Sequence, residues 1–424
     1  MRILRHTDAD FSSALNALKR HAEAAPQVRQ TVEAIFTAIR AKGDSALLEF
    51  TERFGGPRLK PSEMQVLEKP TVDAATRAAI EQAHANVFTF AQKSLRKNWT
   101  MKNAQGALVG ERFDAFQRVG IYVPGGTAPL VSTAIMTCTL AQAAGCPEIV
   151  VTTPSGPDGK VNEALLHALH VAGATEVWRV GGAQAIAALA HGTETIRPVQ
   201  KIFGPGNAYV VEAKRQAFGQ VAIDLLPGPS EILVLADASA NAAWIAADLL
   251  AQAEHGKNSV ILFVTNSAPL LKRVEQEVAT QFATLSRQEH LAPVLEKDAA
   301  LILVKSLKDG IAIANDFAPE HLSLVTKDDA RIAAAIRTAG AIFLGGYSPV
   351  AAGDFVAGPS HTLPTGGAGK SFPGLTADMF QRRTSMVKFD AKSLRKSVAT
   401  IAKFGEVEGL DAHARSATIR FDRP

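Results

Sequence analysis

The sequence predicts an α/β protein with two doubly wound, Rossmann-like domains, an N-terminal helical segment and a small C-terminal helical tail domain. Two observations favour this fold class. From about residue 119, short β-branched runs alternate with Ala-rich helical stretches, as parallel βαβ units require. These runs form two successive series of about five, which indicates two doubly wound sheets. An old duplication is one way to produce two such series, although the halves do not align residue by residue.

The predicted strands can be placed from their apolar runs. The first series lies near 119–123, 148–153, 175–180, 201–203 and 221–225, and the second near 231–236, 259–265, 301–304, 322–325 and 341–344. Gly345-Gly346-Tyr347-Ser348-Pro349 should end the second sheet, because paired glycines and a proline cannot easily continue a central strand.

Helices are also predicted before the first series of strands and after the second. Apolar spacing predicts helices from residue 8 to about 54, with a restart at Gly43, and a longer one over 73–97. After the second series, a loop rich in Gly and Pro runs to about Gly374, and a helix follows over 391–404.

Composition excludes several classes of protein. The chain has 424 residues, 47% hydrophobic, and its 45 basic and 41 acidic residues are mixed without a block typical of nucleic-acid binding. Cys138 and Cys146 are too few for a disulfide framework, which favours a reducing compartment. The first residues lack an apolar signal core and no uncharged run has bilayer length, so we expect a cytoplasmic protein.

The first candidate site lies at the end of a predicted helix. Trp244, Ile245 and Leu250 have helical spacing, and Gly256 is a plausible stop. Gln252 and His255 are then one turn apart on one face, where an amide oxygen and an imidazole nitrogen can bind the same metal ion. The alternative is a solvated histidine at a helix end.

A second candidate is Ala318-Pro319-Glu320-His321-Leu322, at the entrance to a predicted strand. Pro319 favours an extended predecessor, so Glu320 and His321 should project in different directions. An imidazole is the natural base at neutral pH, and a carboxylate can orient a water. The alternative is a capping glutamate beside a surface histidine.

Two further segments carry an acid and a histidine. Gly353 to His361 places Asp354 and His361 in a predicted loop, and Glu408 to His413 lies in the tail. With Gln252 and His255, an amide, a carboxylate and two imidazoles would make a hard, mixed O/N site suited to zinc or manganese. Asp354 in an Asx turn is the alternative reading.

Glycine-rich turns follow several strands of the first series. Gly204-Pro205-Gly206-Asn207-Ala208-Tyr209 begins like a dinucleotide fingerprint, but Pro205 occupies the tight turn and Tyr209 the close-packing slot. The other turns are Tyr122-Val123-Pro124-Gly125-Gly126, Gly181-Gly182-Ala183-Gln184 and Gly228-Pro229-Ser230-Glu231. Several such turns at one sheet edge favour a dinucleotide, because backbone N–H groups and helix N-termini can approach its phosphates.

Gly366 to Ser371 resembles the end of a P-loop, but Pro364 occupies the first glycine slot and no strand precedes it.

Together these motifs resemble the histidinol dehydrogenase family, over nearly the whole chain and in order. The segments that carry the resemblance are Tyr122 to Gly126, Gly182 to Gln184, Phe203 to Asn207, Gly228 to Glu231, Gln252 to His255, Ala318 to Leu322, Gly353-Asp354, His361 to Thr365 and Glu408 to Leu410. The family oxidises L-histidinol through the aldehyde to L-histidine with two NAD and one zinc, in the last step of histidine biosynthesis.

The resemblance implies a role for each matching residue. The zinc ligands would be Gln252, His255, Asp354 and His413. His321 would take the hydroxyl proton, and Glu320 would activate water for the second oxidation. Tyr122, Gln184 and Asn207 would contact NAD, and Ser230, His321, His361 and Glu408 would bind substrate alongside the ligands. The family is a homodimer in which Glu408 and His413 complete the neighbouring subunit's site.

Two residues depart from the family pattern, namely Pro227 where a small residue is usual and Ser360 where Asn is usual. Both should border the substrate pocket. A related zinc and NAD dehydrogenase for another small amino alcohol or diol, and a non-enzymatic dinucleotide-binding or metal-binding module, are therefore the alternatives.

We expect four parts. They are a helical segment leading into the first sheet (1–118), an NAD-binding Rossmann-like domain (119–230), a second such domain carrying most metal and catalytic residues (231–375), and a tail that completes the partner's site (376–424).

Overall fold

The computed structural model describes residues 1–19, 25–125, 129–256 and 258–422. Gly126 of the predicted turn, and residues 20–24 of the predicted N-terminal helical region, lie outside these ranges. The strands are β1 Arg2–Arg5, β2 Trp99–Lys102, β3 Leu108–Ala115, β4 Arg118–Tyr122, β5 Glu148–Thr152, β6 Glu176–Trp178, β7 Lys201–Phe203, β8 Ala222–Ile223, β9 Glu231–Ala236, β10 Val260–Thr265, β11 Ala299–Leu303, β12 His321–Val325, β13 Ala341–Leu344 and β14 Gln381–Lys388. The α-helices are α1 Phe11–Asn16, α2 Pro26–Arg53, α3 Ala74–Ser94, α4 Val131–Ala144, α5 Glu163–Val171, α6 Gly182–His191, α7 Ala208–Ala217, α8 Ala242–Ala253, α9 Ala268–Phe282, α10 Gln288–Lys297, α11 Leu307–Phe317, α12 Asp329–Ala333, α13 Val350–Phe355, α14 Ala391–Arg395, α15 Val398–Glu408 and α16 Asp411–Thr418.

The first sheet is parallel and has the order β6-β5-β4-β7-β8. Its strands are the predicted first series, with ends that differ by a few residues. Helices cover both faces, because successive strand residues point to opposite sides. Val150 and Ile202 pack with α2, α6 and α7, whereas Val151 and Phe203 pack with α3, α4 and α5. This burial explains the continuous apolar runs of the strands.

The second sheet is also parallel, in the order β1-β11-β10-β9-β12-β13. The predicted second series follows the same relative order as the first sheet, with strands 3, 2, 1, 4 and 5 side by side. β1 adds an edge strand that the sequence analysis did not predict. Its short Arg-Ile-Leu-Arg run has too few apolar residues to signal a strand.

A third, antiparallel sheet has the order β14-β3-β2 and corrects the expectation that both ends of the chain are helical. β2 is exposed throughout and β14 is largely exposed, so neither shows the apolar alternation of a half-buried strand. The predicted helix over 391–404 is also corrected, because the structure has α14 and α15 there.

The N-terminal helices agree better with the prediction. α2 changes direction at Gly43, whose φ is +50°, as the predicted restart requires. α3 lies within the predicted 73–97. Asp73 caps α3 by accepting from the backbone of Ala75 and Thr76.

We use the term cleft for the region between the two parallel sheets. β8 ends at Ile223 and β9 begins at Glu231, so a short linker joins the carboxyl edge of the first sheet to the amino edge of the second. The acid–base candidates of the second sheet therefore lie at its amino edge, whereas the glycine-rich turns follow strands of the first sheet. α8 returns the chain to the amino end of β10, and Glu320-His321 precede or begin β12.

Within the described ranges, no helix combines the length and the apolar character that crossing a membrane requires.

Candidate active site

The amino edge of the second sheet brings distant side chains into one hydrogen-bonded cluster. Gln252, in the last turn of α8, donates from Nε2 to Ser230 Oγ at 2.7 Å. Ser230 Oγ donates to Glu320 Oε2 at 2.5 Å. His321 Nε2 lies 3.9 Å from Asp354 Oδ1. Five of the predicted site residues therefore meet, although about 120 residues of chain separate the first from the last.

The fold defines the hydrogen-bonding state of His321. Its Nδ1 lies 3.0 Å from the carbonyl oxygen of Glu231 in the adjacent strand. A carbonyl only accepts, so Nδ1 carries the proton and Nε2 has the free lone pair. Nε2 is buried and bonds no other described residue. Burial also lowers the pKa of His321, against the opposing effect of Asp354. The ring is therefore a neutral imidazole with a free basic nitrogen.

Glu320 is a buried carboxyl with an unusual pKa. Burial raises its pKa to about 7, although the hydrogen bond from Ser230 and the 2.9 Å bond from Glu231 N oppose this effect. Both donors bind Oε2, and Oε1 makes no hydrogen bond with any other described residue. A carboxyl with a pKa near neutrality can exchange a proton with a water or a substrate at physiological pH.

Three predicted ligands surround the same cluster. Gln252 is 3% exposed, and since its Nε2 is used by Ser230, its Oε1 is left without a partner among the described residues. Burial raises the pKa of Asp354, while His321 lowers it. His255 follows α8 and is exposed, although neighbouring protein atoms exclude water from part of the ring and lower its pKa. Asp354 lies in α13, which corrects its predicted loop position.

His361 is the second imidazole with an unsatisfied buried nitrogen. Its Nε2 has no partner among the described residues, and burial lowers its pKa to about 4. Electrostatic interaction with His321 and His255 also lowers this pKa, which indicates that His361 lies near both rings. It is neutral at physiological pH and can hydrogen-bond a polar ligand.

The predicted dinucleotide residues lie at the carboxyl edge of the first sheet. Tyr122 ends β4, and its hydroxyl accepts from Gly182 N at 3.2 Å. Burial raises the pKa of Tyr122, so the hydroxyl stays protonated. Gln184 is 3% exposed, and its Oε1 has no partner among the described residues. Asn207 caps α7 through the backbone of Tyr209 and Val210.

The tail residues stand apart from this cluster. Glu408 and His413 are exposed on α15 and α16. Within the described part of this chain, no hydrogen bond or ion pair joins either side chain to the residues of the cleft. No group of three His, Cys, Asp or Glu side chains in these ranges is close enough to hold a metal ion.

The sequence analysis missed the organising role of Glu231. Its backbone N–H donates to Glu320, its carbonyl accepts from His321, and its side chain accepts from Gly366 N at 3.1 Å. Glu231 is 0% exposed at the start of a strand, and an ionisable residue at the start of an apolar run was the available signal.

The fold is shared with solved structures. A histidinol dehydrogenase from Elizabethkingia anophelis superimposes with a TM-score of 0.93 at 33% identity, covering 99% of this chain and 98% of the other. An acetylating aldehyde dehydrogenase from Geobacillus thermoglucosidasius is 15% identical with a TM-score of 0.50, so it shares the fold alone.

The fold and the 33% identical solved relative place this chain among α/β oxidoreductases, with a buried acid–base pair at the edge of its second sheet. A family model described as histidinol dehydrogenase matches residues 18–421. Histidinol dehydrogenases from Syntrophotalea carbinolica and Bradyrhizobium diazoefficiens are 42% and 43% identical, each over 99% of both chains. The chain belongs to the histidinol dehydrogenase family.

Proposed function

We propose that this chain oxidises L-histidinol through L-histidinal to L-histidine, with NAD as oxidant and zinc as the bound metal. The observation that carries the proposal is the pairing of a neutral His321 with a Glu320 whose pKa is raised to about 7. One base is needed for the hydroxyl protons of the two oxidations and a second for the water that adds to the aldehyde, and these adjacent groups are both buried.

In the first oxidation, His321 Nε2 takes the hydroxyl proton of the alcohol. Hydride leaves the carbinol carbon readily only as the oxygen loses that proton, so the base must be neutral and positioned beforehand. The bond from Nδ1 to Glu231 O fixes the ring and stabilises the imidazolium that forms. The product of this step is the aldehyde.

In the second oxidation, Glu320 takes a proton from the water that adds to the aldehyde. The imidazolium of His321 returns its proton to the former carbonyl oxygen. The resulting hydrate carries a hydroxyl on the carbon that loses hydride, which an unhydrated aldehyde lacks. Ser230 and Glu231 N hold one carboxylate oxygen, so the other is directed to the reacting water. His321 again serves as the base for the hydroxyl proton.

The residues of the cleft fit a zinc ion. Gln252 Oε1 is a buried acceptor without a partner, and Asp354 and His255 add oxygen and nitrogen donors. These donors, with His413 of a second copy, would hold the ion, since zinc accepts such mixed O/N sets. When bound, zinc would orient the amino and imidazole nitrogens of the substrate. His361 and Glu408 would then contact the substrate.

The first sheet fits NAD at its carboxyl edge. Tyr122, Gln184 and Asn207 present a hydroxyl, an unsatisfied amide oxygen and a capped helix N-terminus there. When bound, the nicotinamide ring would accept the hydride.

The positions of Pro227 and Ser360 do not favour another substrate. Pro227 is buried, and Ser360 Oγ donates to Met136 O at 3.0 Å instead of lining the cleft.

The tail supports a homodimer. Phe404 and Val407 on α15 are 62% and 72% exposed, and Leu410 and Ile419 nearby are 40% and 50% exposed. Such an apolar surface on a short terminal unit is typical of a subunit contact. We propose that it packs on a second copy and brings Glu408 and His413 to that copy's cleft, in a cytoplasmic enzyme.

Product stoichiometry tests the proposal. Zinc-loaded protein given histidinol and excess NAD should form two NADH per histidinol consumed, with histidine as the product. A panel of small amino alcohols and diols should react more slowly. NADH formation from a diol but not from histidinol would indicate the related dehydrogenase. Binding of NAD without any turnover would instead indicate a binding module.

A further inference from the structure

A buried ion pair lies beneath the first sheet's dinucleotide turn. Lys214 on α7 pairs with Asp224, which follows β8, and both side chains are 0% exposed. A second cation, Lys201, interacts electrostatically with Asp224, but its ammonium group donates to Met379 O at 2.8 Å. Lys214 is therefore the direct partner of Asp224.

Both members of the pair bind the same glycine. Asp224 Oδ2 accepts from Gly204 N at 2.8 Å, and Lys214 Nζ donates to Gly204 O at 2.8 Å. Gly204 has a φ of +108°, and a Cβ there would overlap the carbonyl oxygen of Tyr122. The N–H and C=O of one residue are thus fixed by opposite charges, at a position where only glycine fits.

This glycine lies at the topological switch point of the sheet. It follows β7, which neighbours β4. The helices that follow these two strands, α7 and α4, pack on opposite faces of the sheet. Ligands of doubly wound sheets bind in the crevice at that point. Three residues further on, Asn207 caps α7, the helix that carries Lys214. The pair thereby connects the turn to α7 and to the residue that follows β8.

Stability alone does not explain such a pair. Removing two charges from water is costly, and well-packed apolar residues of similar size often stabilise a fold as well or better. What an apolar pair cannot do is bind a backbone N–H and a backbone C=O at the same residue. The charges are therefore suited to fixing a conformation.

We propose that Lys214 and Asp224 are positioning residues that hold the Gly204 turn ready for the dinucleotide. Neither side chain is exposed to touch the ligand, so both act through the backbone of the turn. The inference rests on the proposed function, in which this edge binds NAD. It concerns a part of the chain that the acid–base chemistry of His321 and Glu320 does not use.

The test compares two double variants with the unaltered dimer. Lys214→Met/Asp224→Leu removes both anchors together, so that neither member of the pair is left as an unpaired charge, and Lys201 keeps its bond to Met379 O. The matched control, Arg118→Met/Glu176→Leu, removes a partly buried pair at the opposite edge of the same sheet, where Arg118 binds Glu176 at 2.5 and 2.9 Å. The readouts are KM for NAD, KM for histidinol, kcat, zinc content and direct NAD binding by calorimetry.

We expect the first variant to raise KM and Kd for NAD about tenfold to a hundredfold, because a misplaced turn weakens binding to that degree. Its kcat at saturating NAD, KM for histidinol and zinc content should stay within about threefold of the unaltered values. The control should lose thermal stability while keeping its KM for NAD. Unchanged NAD affinity in the first variant, or an equal loss in the control, overturns the inference.

Hydrogen exchange provides a measurement that needs no variant. The amide of Gly204, which donates to Asp224, should already exchange slowly in the NAD-free protein. Fast exchange that becomes slow only after NAD is added would overturn the inference, even if the double variant fails to fold. Absence of NAD binding to the unaltered protein would instead contradict the proposed function.

Discussion

Gln252 Nε2 lies 2.7 Å from Ser230 Oγ, whose own proton is directed at Glu320. One hydroxyl thus connects the amide proposed as a metal ligand to the carboxyl proposed to activate water. Because Ser230 accepts from one and donates to the other, it orients both side chains. Loss of this hydroxyl should therefore affect two functions at once.

We expect Ser230→Ala to shift the pH dependence of aldehyde oxidation. The hydrogen bond from Ser230 lowers the pKa of Glu320, so its loss raises that pKa above about 7. Glu320 must be ionised to accept a proton, and the rise in rate should move to higher pH. Initial rates with histidinal between pH 6 and 9 measure the shift. An unchanged profile would show that Ser230 does not influence the ionisation of Glu320.

His321→Asn should lower the rate of histidinol oxidation by about 10²-fold to 10⁴-fold, because the general base is lost. Zinc content should stay the same, since His321 is not among the proposed ligands. The amide of Asn can still donate to Glu231 O, which favours retention of the fold. Turnover and metal analysis on the same preparation check both statements.

His255→Asn is the matched comparison, in which zinc binding and not the general base should be lost. Its primary effect should be a lower zinc content after dialysis, with turnover partly restored by added zinc. Unchanged zinc content would remove His255 from the proposed ligand set. These two variants separate the base from the ligands, although both residues are histidines in the same cleft.

The sequence predicted the parallel sheets well because their strands are buried on both faces. Continuous apolar runs such as those of β9 and β10 leave little ambiguity. β14 was missed for the opposite reason, since its Gln381–Lys388 run is mostly polar and exposed. Its strand conformation depends on pairing with β3, which is far away in the sequence.

The candidate site also contains residues that the sequence revealed and residues that it did not. Glu320 and His321 were recognisable because two acid–base groups stand together at a strand entrance. The role of Glu231 could not be recognised in the sequence, because Glu231 acts through its backbone and its hydrogen bond with His321 spans 90 residues. The pair of Lys214 and Asp224 had no sequence signal either, since a lysine on a helix is ordinarily exposed.

Glu320→Gln should stabilise the metal-free protein at alkaline pH while abolishing the second oxidation. Burial raises the pKa of Glu320 from 4.5 to about 7, so the folded state binds its proton more tightly than the unfolded state does. A raised pKa contributes stability that is present below 4.5 and lost as the pH rises through about 7. The glutamine does not titrate and avoids this loss.

The difference in free energy of unfolding should therefore be small at pH 5 and grow to at most about 3 kcal/mol at pH 8. Urea denaturation of both metal-free proteins at the two pH values provides the measurement. An equal difference at pH 5 and pH 8 would show that Glu320 does not have a raised pKa in the folded protein.

The proposed exchange of tails between subunits can be tested with hybrid dimers. If His413 completes the neighbouring cleft, a dimer of one His321→Asn subunit and one His413→Asn subunit has one intact site and one doubly defective site. Two affinity tags on coexpressed subunits would isolate this hybrid, which should show about half the activity of the unaltered dimer. If the tail instead served its own chain, each site would contain one defect and the hybrid would be as inactive as the two parent variants. Mixing the separately purified parents without exchange provides the baseline. Zinc content of the hybrid should be about half that of the His321→Asn parent, because of the two altered residues only His413 is a proposed ligand.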